Sequence, residues 1–188
     1  MRYEQTVTLK DGTPIVLRSL EKRDAGAAIL CFRKVAGETD FLLRETEECG
    51  VTIAQEEETI ARKLESPREM LLGAFVGEEL VGMAGLNAAG QLSRVRHRAS
   101  VGVSLKRAHW GKGIGSAMLR ALIDAAGLAG YEQLELEVVK DNVRAAALYT
   151  RFEFVSIGRI PNALRYRDGQ YADMCLMIRQ LSKDCLEN

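Results

Sequence analysis

Three glycines spaced by one residue, Gly111, Gly113 and Gly115, separate a strand-like run from a helical pattern. Glycine reaches backbone angles closed to other residues and lets a ligand come close to the main chain. The N–H groups in the first turn of the following helix have no partner within the helix, and the helix dipole favours negative charge there. This arrangement predicts a binding site for phosphate or pyrophosphate.

Two familiar phosphate motifs do not fit this loop. A P-loop requires Gly-Lys followed by Ser or Thr, whereas Gly113 follows Gly111-Lys112. The missing Mg²⁺-binding hydroxyl also argues against nucleotide hydrolysis. The dinucleotide fingerprint is G-x-G-x-x-G, but the spacing here is G-x-G-x-G. A glycine-rich turn that only caps a helix is the structural alternative.

The length and composition indicate one globular domain over residues 1–188, with 47% hydrophobic and 28% charged residues. No apolar run approaches the roughly 20 residues that span a membrane. The first residues lack the apolar segment of a secretory signal. Because 26 basic and 26 acidic residues give a net charge of zero, we expect no nucleic-acid partner.

The four cysteines form neither a metal-binding nor a disulfide pattern. They are scattered, with no C-x-x-C spacing, at Cys31, Cys49, Cys175 and Cys185. Free thiols in a reducing cytoplasm are the simplest interpretation. We therefore expect a cytoplasmic protein without a bound metal.

The order of predicted elements combines β-hairpins with one strand–helix–strand unit. The hairpins give antiparallel neighbours, and the unit around the glycine loop gives one parallel pair. Asp24 is a plausible N-cap for the first helix. The predicted strands cover residues 6–10, 15–20, 70–76, 80–86, 96–105, 133–139, 154–159 and 171–180, and the predicted helices cover 24–35, 52–65, 114–128 and 143–151.

Three separated motifs suggest a family. The first is the loop Trp110–Gly115, the second is the strand 134–138 with the following Asn142, and the third is 145–149 with 152–154. They are similar to the [Gln/Arg]-x-x-Gly-x-Gly loop, the central strand and the A-x-x-L-Y-x-x-x-G-F motif of the GNAT superfamily of N-acetyltransferases. The chain most resembles the bacterial branch that includes ribosomal-protein-acetylase-like members.

The resemblance implies a mixed α/β fold, with a central sheet of about seven strands and helices on both faces. Two central parallel strands splay apart, and acetyl-coenzyme A enters between them as cosubstrate, with no metal. The implied reaction is direct transfer of the acetyl group to a primary amine of a small molecule or a protein N-terminus. A homodimer is one assembly that the sequence allows. The alternative function is a non-catalytic sensor or subunit that binds acyl-coenzyme A.

The resemblance also assigns the residues that hold the coenzyme. The pantetheine pairs with the backbone of a strand end, the pyrophosphate lies on the glycine loop, and an asparagine adds a hydrogen bond. These positions are Val103, Ser104, Leu105, Gly111, Lys112, Gly113, Ile114, Gly115, Ser116 and Asn142. The alternatives are an ordinary core strand, a solvated Lys112 and an Asn142 that is only an N-cap.

Tyr149 matches the family's candidate acid, which protonates the departing thiolate. An unperturbed tyrosine pKa near 10 suits proton donation at neutral pH, and the alternative is a core aromatic residue. The base is less defined, because Glu135 and Glu137 share one face of a strand. Glu137 matches the family position, a structural salt bridge is its alternative, and His97 is the second candidate.

Two positions depart from the family pattern. Trp110 stands where the family has Gln or Arg, so a side-chain donor to the pyrophosphate is lost while the backbone donors remain. Glu153 stands where the family has Gly at a turn. We therefore expect either a strained Glu153 or an altered local backbone.

Charge is unevenly placed along the chain. Eight acids and one base, Arg44, lie between Glu38 and Glu58, and six bases and no acid lie between Arg94 and Lys112. By resemblance, the acidic segment lies over the acceptor cleft, where it would attract a cationic amine. A solvated surface is the alternative for each run.

Overall fold

Eight strands form one sheet in the computed structural model, which describes residues 1–181. Within these residues, neighbouring strands run antiparallel except for the pair β5–β6, and the order across the sheet is β1-β2-β3-β4-β5-β6-β8-β7. The strands are β1 (Glu4–Thr8), β2 (Pro14–Ser19), β3 (Met70–Val76), β4 (Glu79–Ala88), β5 (Arg98–Leu105), β6 (Gln133–Val139), β7 (Val155–Arg165) and β8 (Tyr171–Gln180).

Two helices cover each face of the sheet. The helices are α1 (Ala25–Ala36), α2 (Ile53–Glu65), α3 (Ile114–Leu128) and α4 (Val143–Arg151). Leu122 of α3 and Tyr149 of α4 share one buried cluster, whereas Cys31 of α1 and Ile60 of α2 belong to a second cluster with Met83 of β4. Successive strand residues point to opposite faces, so one sheet supplies both clusters. The predicted mixed α/β architecture is confirmed, with eight strands instead of about seven.

The parallel pair at the centre of the sheet is short. Residues Arg98–Ser100 of β5 pair with Gln133–Glu135 of β6. β5 continues to Leu105 and β6 to Val139 with no further pairing between the two strands. The strands therefore diverge towards their carboxyl ends, as the family resemblance implied.

Local hydrogen bonds explain where the helices begin. The hydroxyl of Thr52 accepts a hydrogen bond from the backbone N–H of Gln55, so Thr52 caps α2. Asp24 directly precedes α1, as predicted, but its side chain accepts no hydrogen bond from the first turn of the helix, so the predicted capping bond is absent. Its carboxylate instead accepts from the Glu21 backbone N–H at 2.8 Å and from both terminal nitrogens of Arg18 at 2.7 and 2.8 Å.

β7 extends six residues beyond its predicted end at Arg159. Pro161 cannot donate to a ladder and suggested that the strand stops before it. The structure accommodates Pro161 and a left-handed Asn162 (φ 53°) within an irregular stretch, and pairing with β8 resumes at Leu164.

Among residues 1–181, no helix has both the length and the hydropathy needed to cross a membrane. The same residues contain no group of three or more His, Cys, Asp or Glu side chains that could hold a metal ion. Cys31, Cys49 and Cys175 are free thiols. Cys185 lies outside the described residues.

Candidate active site

A cleft of about 1360 Å³ opens where β5 and β6 diverge. Its walls come from residues 101–105 of β5, 137–139 of β6, the glycine loop and the first turns of α3 and α4. The end of β1 with the turn after it, residues 7–11, also lines the cleft. So do Thr39 and residues 41–44 of the connector between α1 and α2. The topology therefore brings most of the predicted site residues to one place.

One wall of the cleft is an unpaired strand edge. Beyond Ser100, β5 has no register partner on β6, so the backbone groups of Val103 and its neighbours on that side lack a ladder partner. Such groups can pair with the amides of an extended ligand. Ser104 donates its hydroxyl to the Met83 carbonyl at 3.3 Å, and the Leu105 carbonyl accepts from the Trp110 indole at 2.8 Å. Leu105 therefore has its N–H left to offer.

The glycine loop has the backbone conformation that its sequence predicts. Gly111 and Gly113 have φ of 77° and 94°, which favours glycine at both positions. The first hydrogen bond of α3 runs from Ala117 N–H to the Gly113 carbonyl at 3.0 Å. The N–H groups of residues 114–116 lie before that bond, so they have no partner within the helix and are available where a helix N-terminus favours an anion.

Most residues of this loop line the cleft, and one is buried in the core. Gly111, Lys112, Gly113, Gly115 and Ser116 line the cleft. Ile114 does not line it, since its side chain is fully buried in the cluster beneath α3. Its backbone N–H remains the part that a ligand could use.

Asn142 is an N-cap, as predicted, and it also lies at the cleft. Its side-chain oxygen accepts from the Ala145 backbone N–H at 3.2 Å, which makes it the N-cap of α4. The residue also lines the cleft, and its amide nitrogen is free of hydrogen bonds to the described residues. The capping bond fixes the side chain and leaves two N–H donors for a ligand.

Tyr149 lies on α4 at the cleft and is only 6% exposed. Its ring packs edge-to-face against Phe154, with ring centroids 5.9 Å apart. Desolvation raises the pKa of Tyr149 to about 12. Its hydroxyl has no hydrogen-bond partner among residues 1–181. The group is therefore a neutral proton donor over the physiological pH range.

The two carboxylates on β6 have different environments. Glu135 forms an ion pair with Arg98 and also accepts from Gln133 at 2.8 Å. The hydrogen bond from Arg98 is the main cause that lowers the pKa of Glu135. Glu137 lines the cleft and is exposed, and within the described chain it has no ion pair or hydrogen bond. The salt-bridge alternative thus describes Glu135 and not Glu137.

His97, the second candidate base, lies outside the cleft lining. It immediately precedes β5, and its carbonyl accepts from the backbone N–H groups of Glu132 and Gln133. The cleft lining begins at Val101 of β5, about 13 Å further along an extended strand. His97 is accordingly absent from the cleft lining.

Both departures from the family pattern have a structural explanation. Glu153 has a φ of 63°, so the expected strained conformation is confirmed. Arg179 holds this turn by donating to the Phe152 carbonyl at 2.8 Å and pairing with Glu153 at 2.9 Å. Trp110 has its only side-chain donor committed to Leu105. The glycine loop therefore offers a ligand its backbone donors and Lys112.

The acidic connector does not place its charges in the cleft. None of the eight acids between Glu38 and Glu58 is among the lining residues. Glu38 accepts from the Arg107 backbone N–H at 2.6 Å, and Glu45 and Glu47 form ion pairs with Arg167. The geometry therefore does not support the expectation that these acids face the acceptor. The connector contributes Thr39, Phe41, Leu42, Leu43 and Arg44 instead.

The charges that do line the cleft are mainly positive. The described lining contains the carboxylates of Asp11, Glu137 and Asp141. Against these three stand five cationic side chains, those of Lys10, Arg44, Lys112, Arg144 and Arg151. Sequence reasoning missed Arg144, because nothing in a helix pattern shows which exposed arginine lines the cleft.

Comparison with known proteins agrees with this geometry. Residues 39–154 match the model of the acetyltransferase (GNAT) family. The N-alpha-acetyltransferase RimI of Mycobacterium tuberculosis is 37% identical over 98 residues, which cover 52% of this chain and 59% of RimI. The chain spans less than two thirds of the length of the curated relatives that it matches first, 31% of one and 59% of the other.

Solved structures share the fold over most of the chain. A GNAT-family acetyltransferase from Streptococcus pneumoniae superposes with a TM-score of 0.85 at 26% identity, covering 89% of this chain and 99% of that protein. The Salmonella typhimurium protein yncA, solved with its cofactor acetyl-CoA, superposes with a TM-score of 0.78 at 21% identity, covering 89% and 94%.

Proposed function

Because the chain belongs to the GNAT acetyltransferase family, we propose that it transfers an acetyl group from acetyl-coenzyme A directly to a primary amine. The observation that carries this proposal is the cleft between the diverging ends of β5 and β6. A phosphate-type loop forms one of its walls, and the Tyr149 hydroxyl, free of other partners in the described chain, lies in another. The yncA structure, which contains acetyl-CoA in the same fold, supports the choice of cosubstrate.

The chain's own groups fit the parts of this cosubstrate. The free edge of β5 at Val103–Leu105 suits the pantetheine amides. The N–H groups of residues 114–116 and the charge of Lys112 suit the pyrophosphate. The amide nitrogen of Asn142 adds one more donor. When bound, acetyl-coenzyme A supplies the acetyl thioester.

Transfer requires one proton to leave the amine and one to reach the sulfur. The amine nitrogen attacks the thioester carbonyl carbon, a C–N bond forms and the C–S bond breaks. Backbone N–H groups on β5 stabilise the developing oxyanion. Glu137 takes the proton of the ammonium form through water and releases it to solvent, which leaves a neutral amine to attack. Tyr149 gives its proton to the departing thiolate and is reprotonated by the proton that the acylated nitrogen loses. The atoms balance with free coenzyme A and an N-acetylated amine as products.

We place the acceptor on the connector side of the cleft. That side is lined by Phe32, Phe41, Leu42, Leu71 and Met83, with Arg44 beside them. Among the described residues Arg44 forms no close ion pair or hydrogen bond, although Glu56 lies near enough to interact with its charge. An apolar wall with one cation beside it suits an acceptor whose amine carries an apolar substituent, as in a small amine or a protein N-terminus. It does not favour a polycation.

A panel of amines tests both the reaction and the acceptor. Leucine, leucinamide, lysinamide, spermidine and a short peptide with an apolar N-terminal residue would each be mixed with acetyl-coenzyme A. We expect release of free thiol together with N-acetylated product. We also expect leucinamide to exceed lysinamide in kcat/KM, with less than about a twofold change in leucinamide turnover at high salt.

Two other outcomes of this panel are informative. A preference for lysinamide or spermidine that falls steeply with salt would restore the cationic-acceptor hypothesis based on the acidic segment. Binding of acetyl-coenzyme A without thiol release on any amine would contradict the proposed reaction. That result would support a non-catalytic acyl-coenzyme A sensor.

Replacing Glu137 by Gln is expected to lower kcat/KM at neutral pH by about 10²-fold. The deficit should shrink as the pH approaches the pKa of the acceptor amine, because an already neutral amine needs no base. The matched control is Glu135→Gln, on the same face of the same strand but paired with Arg98. It should keep wild-type turnover and lose at most about 1 kcal/mol of stability. Equal pH profiles for Glu137→Gln and wild type would remove Glu137 from the mechanism.

A further inference from the structure

Position 110 begins the glycine loop with a residue that cannot offer a donor to a ligand. The Trp110 indole N–H is held by the Leu105 carbonyl at 2.8 Å. This bond fixes the indole ring at the end of β5, where it lines the cleft. The ring faces rather than the N–H are therefore what Trp110 presents to its surroundings.

One of those ring faces carries an arginine. The guanidinium carbon of Arg144 lies 4.7 Å from the centroid of the Trp110 ring, within the range of a cation–π contact. Arg144 lines the cleft, and in the described chain no carboxylate or carbonyl uses its guanidinium N–H groups. Arg107 also approaches the ring, at 5.8 Å, but it does not line the cleft. Arg144 is thus oriented by stacking and keeps its donors free.

The packing of α4 places Arg144 beside the glycine loop. A Cβ built on Gly115 would lie 3.5 Å from the Leu148 side chain, so α4 packs against the first turn of α3. Arg144 precedes Leu148 by four residues, which puts both on the same face of α4. The guanidinium therefore lies one turn away from the contact with the loop that carries the free N–H groups.

We propose that Arg144, positioned by the Trp110 ring, forms a charge-assisted hydrogen bond with a phosphate group of coenzyme A. This inference rests on the proposed function for the identity of the ligand. The planar guanidinium can bind phosphate oxygens in a bidentate manner. Arg144 supplies from α4 the side-chain donor that the loop itself lacks at position 110, and Trp110 acts as the positioning residue.

Calorimetric titration with coenzyme A tests the proposal without an acceptor. Arg144→Gln should weaken binding of coenzyme A by about 10- to 100-fold, the usual range for a lost charge-assisted hydrogen bond. Pantetheine, which has no phosphate, should bind the variant and the wild type equally. Dephospho-coenzyme A, which lacks the 3′-phosphate, distinguishes the phosphates. If Arg144→Gln binds it as much more weakly than wild type as it binds coenzyme A, Arg144 contacts the pyrophosphate. If the variant and the wild type bind it equally, Arg144 contacts the 3′-phosphate.

Variants at position 110 separate the ring from its N–H group. Trp110→Phe keeps an aromatic face, so its affinity for coenzyme A should stay within about threefold of wild type. Trp110→Leu removes the ring, so its affinity should fall nearly as much as that of Arg144→Gln. The double variant Trp110→Leu/Arg144→Gln should bind no more weakly than Arg144→Gln alone, because the two residues act as one unit. Arg120→Gln is the matched control, since Arg120 stacks on Phe152 at 5.0 Å outside the cleft lining.

Wild-type affinity of Arg144→Gln for coenzyme A would overturn the proposal, and so would an equal loss for pantetheine. Full additivity of the two substitutions would overturn the positioning role of Trp110. If the wild-type protein itself bound no coenzyme A, the proposed function would fail before this inference is reached. The two failures are therefore distinguishable.

Discussion

Replacing Tyr149 by Phe is expected to lower kcat by about 10²- to 10⁴-fold while leaving the affinity for acetyl-coenzyme A nearly unchanged. The substitution removes the hydroxyl and keeps the ring that packs against Phe154. Because burial raises the pKa of Tyr149 to about 12, the acid stays protonated up to strongly alkaline pH. The wild-type rate should therefore show no falling limb from Tyr149 between about pH 6 and 10.

Tyr131→Phe is the control for this experiment. Tyr131 is also buried, but its hydroxyl donates to the Arg68 carbonyl at 3.0 Å and the residue lies outside the cleft lining. This variant should lose about 1 kcal/mol of stability and keep its kcat. If Tyr149→Phe kept near-wild-type turnover, Tyr149 would be a core aromatic residue and another group would have to protonate the thiolate.

Replacing Gly113 by Val should abolish the stabilisation of the protein by acetyl-coenzyme A. Gly113 has a φ of 94° and directly precedes α3, so a β-branched residue there must change the backbone that presents the N–H groups. At a ligand concentration of about 1,000 times Kd, the wild-type protein should gain about 4 kcal/mol, or on the order of 10 °C in Tm. Thermal unfolding with and without the ligand measures both quantities.

Gly130→Val separates this effect from general strain. Gly130 has a φ of 73° in the turn after α3 and does not line the cleft. Both variants should be less stable than wild type without ligand, by roughly 1–3 kcal/mol. The Gly130 variant should keep the full shift with acetyl-coenzyme A, and the Gly113 variant should show none. A full shift in the Gly113 variant would place the ligand elsewhere.

The sequence allowed prediction of the parts of the site that are defined by local motifs. The loop glycines, the capping Asn142 and Tyr149 each combine a residue type with a position relative to a helix, and the structure places all of them at the cleft. The element order also predicted the parallel pair and the helices on both faces. Where the same residues determine both the secondary structure and the candidate site, the local sequence is sufficient to predict them.

Features that depend on distant residues could not be predicted in this way. Because side chains alternate along a strand, Glu135 and Glu137 lie on the same face of β6. Glu135 lies within the short β5–β6 pairing and pairs with Arg98, whereas Glu137 lies beyond the end of that pairing and has no such partner. The acidic segment was expected to face the cleft, because the sequence does not show that Arg167, more than 100 residues away, neutralises part of its charge. A charge run shows how many charges are present but not which way they face.

Acetyl-coenzyme A is proposed to bind between the diverging ends of β5 and β6, against the glycine loop. Amide hydrogen exchange, measured by NMR with and without saturating acetyl-coenzyme A, tests this location directly. We expect slowed exchange at Val103 and Leu105 and at residues 113–116, with little change in the β1–β2 pairs distant from the cleft. Unchanged exchange at these amides, or protection confined to another surface, would contradict this location.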